Sequence, residues 1–237
     1  MSNLDFANYL NEMNKGQVTE MPVLAEGTYI GNFVGFGRKK EGIVTTLQYG
    51  IIKADEGRVK KGVGDMWCML NGRLTINSAY AKTTMGSDVV SITADNSSKQ
   101  FSYFKLNDYG IDPVNVAFWN LLNSMFAELG VARIEVDEAG IKKYVRDSHI
   151  NEAIFSGMQE LYAEISADSD ISPKLHPAML AELQLKNINE LLAGQEDATK
   201  VYIDIGRKTN NYNGNVVHYV KNMGVLSALP EGIVIFE

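Results

Sequence analysis

The chain is poor in the residues that most enzymes and metal proteins rely on. Its 237 residues include one cysteine, Cys68, and three histidines, His149, His176 and His218. A single thiol excludes an intramolecular disulfide framework and any multi-cysteine zinc site. Cys68 lies between Trp67 and Met69, which suits a buried structural thiol better than a nucleophile. No histidine has a second His or Cys at the spacing of common metal motifs. His149 has Asp147 and Glu152 nearby, an ordinary composition for a helix surface. GxSxG, HExxH and GxxxxGK[ST] are all missing. The run Gly35-Phe36-Gly37-Arg38-Lys39-Lys40 lacks the third glycine of a dinucleotide fingerprint. Strand propensity follows it, so it lacks the helix N-terminus that would aim N–H donors at a phosphate. No cofactor, no metal and no enzymatic activity are therefore expected. Acids distant in sequence, such as Asp65, Asp88, Asp95 and Asp108, are the remaining route to a converging catalytic group.

Long apolar runs are also missing. None approaches the roughly 20 residues of a membrane helix, and MSNLDFANYL has no basic n-region leading into an apolar core. The expectation is a soluble protein of a reducing, cytoplasmic compartment with no membrane partner.

What the chain has is apolar bulk and segregated charge. Hydrophobic residues make up 45 %, enough for a sizeable core. The net charge of -7 is unevenly spread. Residues 27–110 hold 11 Lys+Arg against 7 Asp+Glu, residues 111–198 hold 6 against 15, and residues 199–221 hold 4 against 1. Basic strand-like parts thus flank an acidic, helix-like middle.

The element signals agree with that division. Near-helical spacing of Leu4, Ala7, Tyr9, Leu10 and Met13 predicts a short helix over residues 3–14. Strands are expected over 27–37, 43–54, 65–77, 89–94 and 99–106, separated by glycine turns without intervening helices. Gly31, Gly35 and Gly37 inside the first strand point to bulges and tight curvature, which suit a small closed barrel. Asp112-Pro113 reads as an N-cap and N1 pair opening a helix that Gly130 ends. One or two helices are expected over 136–166 and another over 178–194. Strands 200–206 and 214–221 return the chain to the sheet, and GIVIFE at 232–237 is a further strand candidate. The expected fold is α+β and β-rich: one domain over 1–237. Barrel strands occupy 22–110, an acidic helical segment 111–198, and closing strands with a tail 199–237.

Three basic clusters sit at predicted hairpin turns. They are Arg38, Lys39 and Lys40; Lys53 with Arg58, Lys60 and Lys61; and Arg207 and Lys208 with Lys221. Converging at one mouth of a barrel, they would form a track for a phosphate backbone. Alternation sends about half of the strand aromatics inward. Phe33, Trp67 and Phe101 are assigned to packing. Tyr103, Tyr212 and Tyr219 are the candidate stacking rings, because tyrosine tolerates a wet face.

The order of features resembles phage-encoded single-stranded DNA-binding proteins with an OB-fold. The residues that carry the resemblance are Val23-Leu24-Ala25-Glu26-Gly27-Thr28-Tyr29, the basic turn Lys39-Lys40-Glu41-Gly42, Phe118-Trp119, and Tyr212-Asn213-Gly214 in the closing hairpin. The resemblance implies a protein of the host cytoplasm that coats single strands in replication or recombination with little sequence preference. It also implies possible self-association. Replication or recombination proteins would be recruited through the acidic helices or the tail. In that family the tail is strongly acidic with a terminal aromatic, whereas here Phe236 is accompanied by only Glu231 and Glu237. A phage virion or assembly component, with the barrel as scaffold, is the alternative reading.

Overall fold

The computed structural model describes residues 23–37, 66–68, 71–94, 104–113, 116–209 and 214–236. The helix expected over 3–14 and the strand expected over 43–54 lie outside these residues.

The main sheet is built on one long strand, β1 (Gly27–Gly37). Its first half pairs antiparallel with β9 (Lys200–Thr209), from Gly27 opposite Ile205 to Asn32 opposite Lys200. Its second half pairs antiparallel with β3 (Asn71–Asn77). Beyond these lie β10 (Val216–Val225) on one side and β4 (Val89–Ala94) on the other, giving the order β10-β9-β1-β3-β4. A two-residue strand, β11 (Ile235–Phe236), adds to β1 in parallel at Thr28 and Tyr29. A second sheet joins β2 (Met66–Cys68), β5 (Phe104–Asn107) and β6 (Gly110–Ile111). The single strand expected over 65–77 is thus two strands in different sheets. The strand expected over 99–106 is described only from Phe104 onward.

The expected closed barrel is corrected to an open antiparallel sheet. No ladder joins β4 to β10 among the described residues, although the sheet coils until these edge strands touch. Glycine supplies part of that coiling. The β1–β3 register slips between Phe33 and Gly35, a bulge that turns Val34 out to solvent. Gly35 has φ +137°, and a Cβ there would stand 2.9 Å from the Asn189 side-chain oxygen. Only glycine fits both constraints.

Two further expectations are corrected. A short helix, α1 (Ala79–Met85), intervenes between β3 and β4, capped by the Ser78 hydroxyl and closed by Gly86 in the left-handed conformation. The stretch after residue 130 opens with a hairpin of β7 (Ala132–Val136) and β8 (Lys142–Arg146), not with a helix. Its turn is set by Asp137, whose carboxylate accepts N–H bonds from Ala139 and Ile141 at 3.0 and 2.8 Å. The acidic middle is therefore mixed rather than helical throughout.

The other α-helices among the described residues are α2 (Val116–Glu128), α3 (Ser148–Ile154), α4 (Met158–Ala167) and α5 (His176–Leu192). Helix α2 starts beyond Asp112-Pro113, and the Asp112 carbonyl accepts the Trp119 indole N–H. Helix α5 buries Ala178, Ala181, Leu185, Ile188 and Leu192, the repeating three-four spacing of one apolar stripe. That stripe joins Phe118, Leu122, Met125 and Phe126 of α2 and Phe33, Leu74, Ile76, Ile203 and Ile205 of the sheet in one core. Met158, Ile165 and Leu180 form a small satellite cluster under α4.

Candidate nucleic-acid interface

Strand β1 begins at Gly27, opposite Ile205, but β9 runs on to Thr209. From Gly206 onward, β9 and β10 form a two-stranded ribbon that outruns the sheet. Its register sets Gly206 opposite Tyr219, Arg207 opposite His218 and Lys208 opposite Val217. Alternation then divides the ribbon into two faces.

One face carries Gly206, Lys208, Val217 and Tyr219. A Cβ on Gly206 would lie 2.5 Å from Tyr219 Cζ and 2.7 Å from Lys221 Cε. The missing side chain lets the Tyr219 ring and the Lys221 stem lie across the strand. The Lys208 ammonium stands 5.6 Å from the centre of that ring, within cation–π range. A bulge between Val220 and Asn222 places Lys221 outside the regular alternation and beside this face. Two cations thus flank one tyrosine on a ribbon whose Val216, Val217, Arg207 and Lys208 are exposed.

The other face continues the buried side of Ile203 and Ile205. Here His218 Nε2 lies 3.3 Å from the Leu24 carbonyl oxygen. Where β1 no longer pairs with β9, Glu26 takes over: its carboxylate accepts the Arg207 N–H at 2.7 Å and stands 3.7 Å from the Lys221 ammonium. The Arg207 N–H bond first, and Lys221 next, hold the Glu26 carboxyl below its ordinary value of 4.5. Sequence reasoning missed Glu26, because a carboxylate 181 residues from Arg207 in sequence leaves no local signal.

Of the residues singled out from sequence, Arg207, Lys208, Tyr219 and Lys221 come together on this ribbon. Arg38, Lys39, Lys40, Lys53, Arg58, Lys60, Lys61, Tyr103 and Tyr212 lie outside the described residues, so the ribbon carries the site that can be described. Phe33 is buried, as assigned. His149 is exposed, His176 is buried, and no group of three or more His, Cys, Asp or Glu gathers among the described residues.

A second cationic place went unseen in the sequence. Strand β8, helix α2, helix α3 and the β5–β6 turn enclose a cleft of about 650 Å³. Arg146 lies in its wall, half-buried, with its guanidinium 5.0 Å from the Trp119 ring centre. Its Nε donates to Asn151 Oδ1 at 2.7 Å and its Nη1 to Asn123 Oδ1 at 2.8 Å. Burial lowers its pKa. The signal was present in Lys142-Lys143-Tyr144-Val145-Arg146, a strand that a helical reading of the segment hid. No helix among the described residues is long and apolar enough to cross a membrane. Comparison with protein-family models, with curated proteins and with solved structures finds no match to this chain.

Proposed function

We propose that the chain is a non-enzymatic single-stranded DNA-binding protein that engages the strand through the β9–β10 ribbon. The observation that carries this reading is the grouping of Lys208, Lys221 and Tyr219 over Gly206 on one projecting face. A flexible polyanion with stackable bases needs phosphate-neutralising cations beside a flat ring, and such stacking is worth about 1–3 kcal/mol per base. Arg207, next in the strand, pairs with His218 and presents an exposed cation on the opposite face of the ribbon. The strongly coiled antiparallel sheet supports a partly open OB-like arrangement, in which strand edges approach without a full ladder. The net charge of -7 is compatible with this, because basic and acidic parts are segregated along the chain.

Fluorescence anisotropy with labelled oligo-dT at several salt concentrations tests the reading. Binding should weaken as salt rises. The double substitution Arg207→Ala with Lys208→Ala should weaken it further and shallow the salt slope by about 0.7 if the strand meets the Lys208 face alone, or about 1.4 if it wraps the ribbon, at roughly 0.7 per lost single-strand phosphate contact. Binding that ignores salt, or a double variant that binds like the wild type, would overturn the assignment.

A further inference from the structure

We infer that the cleft between β8, α2 and α3 is a separate binding site for a phosphate carried on a flat ring, a ligand of nucleotide size. The first argument is the state of Arg146. Half-buried arginines ordinarily face a carboxylate, because an unpaired charge is costly to desolvate. Among the described residues no carboxylate lies within ion-pairing distance of Arg146; two amide oxygens hold it instead. Those amides fix the guanidinium without neutralising it. A guanidinium has five N–H donors, and three of these have no partner among the described residues. An oriented, un-neutralised fork of that kind suits a phosphate.

The second argument is the cleft itself. Its volume, about 650 Å³, lies within the ordinary range for small-molecule sites. Lys143 also borders the cleft, but alternation along β8 sets its side chain on the face of its cross-strand partner Glu135, opposite that of Arg146, so Arg146 is the cation of the cleft wall. The walls also include Tyr109 and Phe155, large rings exposed at 71 % and 46 %. A guanidinium held by two amides in the wall and exposed rings at the rim are features that hold a base and its phosphate together. The inference does not rest on strand binding by the ribbon.

A free mononucleotide and a nucleotide unit of a strand present the same chemistry, and calorimetric titration separates them. The probes are thymidine 5′-monophosphate, thymidine without phosphate, and oligo-dT. The expected result is saturable binding of the monophosphate with Kd below about 1 mM, and at least tenfold weaker binding of thymidine. Tyr109→Ala and Phe155→Ala should each weaken the monophosphate several-fold, at about 1 kcal/mol or more per stacked base. Arg146→Gln should abolish binding; because Arg146 also ties β8 to α2 and α3, the two exposed positions decide the matter where that variant fails to fold. Monophosphate heat that disappears in the ribbon double variant would belong to the ribbon and would overturn the inference. If only oligo-dT binds, and Tyr109→Ala weakens it, the site takes a nucleotide within a strand. If neither probe shows a heat that Tyr109→Ala or Phe155→Ala alters, the inference falls, while ribbon-dependent oligo-dT binding would stand untouched.

Discussion

Lys221 is held in check by one carboxylate. Glu26 pairs with its ammonium at 3.7 Å and accepts the Arg207 N–H, so part of the ribbon's positive charge is already engaged within the protein. A phosphate bound at this ribbon would have to compete with Glu26 for that ammonium. Glu26→Gln keeps a carbonyl oxygen for the Arg207 N–H and removes the competing charge. The variant should bind oligo-dT more tightly at neutral pH and show a salt slope steeper by about 0.7, one further phosphate contact. Unchanged affinity and slope would place the strand away from Lys221. The same carboxyl has an acid signature. Its folded pKa lies below its ordinary 4.5, so its contribution to stability is present above that value and is lost as pH falls through the lowered one. Thermal melts below pH 4.5 should therefore show an acid-side loss in the wild type that is reduced in Glu26→Gln.

At the scale of elements, the join between α5 and β1 decides whether the sheet keeps its bend. Asn189 of α5 donates to the Phe36 carbonyl at 3.1 Å and accepts the Phe36 N–H at 2.9 Å. One amide side chain thus acts as a one-residue partner strand just beyond the bulge at Gly35. Asn189→Leu removes both bonds and should cost about 2 kcal/mol, at roughly 1 kcal/mol each, in urea unfolding. A change below about 0.5 kcal/mol would show that the bulge holds without the helix. This contact also shows what sequence can and cannot carry. The bulge was legible, since glycines at 31, 35 and 37 inside a β-branched, aromatic run have few other uses. The apolar stripe of α5 was legible from its period. Its polar partner across 153 residues was not, because a single Asn on a helix surface has no periodicity to betray it. The β7–β8 hairpin was misread for a related reason. Lys142, Lys143, Tyr144 and Arg146 fit either period over so short a run, and the deciding feature was the Asp137 turn with Gly140 at φ +79°. The cleft followed that error, since Arg146 meets Trp119 only when residues 142–146 form a strand.

At the scale of the whole molecule, the last described strand closes onto the first. Phe236 of β11 stacks on Tyr29 of β1, with ring centres 5.0 Å apart, and its centre lies 4.8 Å from that of Tyr80 in α1. Three segments from opposite parts of the sequence meet in that cluster. The expectation that Phe236 belongs to a recruiting tail gives it a solvent-facing role, whereas here it is half-buried against the core. Tyr29 reports on this closure. Its hydroxyl donates to the Ala25 carbonyl at 2.9 Å. Burial, with Tyr80 adding to it, pushes its phenol up from 10.0 to about 12. The unfolded chain loses this proton first, so stability falls as pH rises from about 10 to about 12 and levels off above the folded value. Phe236→Ala should remove part of that cover. It should cost about 2–3 kcal/mol, less than the loss of a fully buried aromatic ring. Spectrophotometric titration of tyrosinate should also bring one phenol back toward 10. If stability and titration both stay as in the wild type, the β1–β11 contact does not close the molecule, and Phe236 is available to a partner.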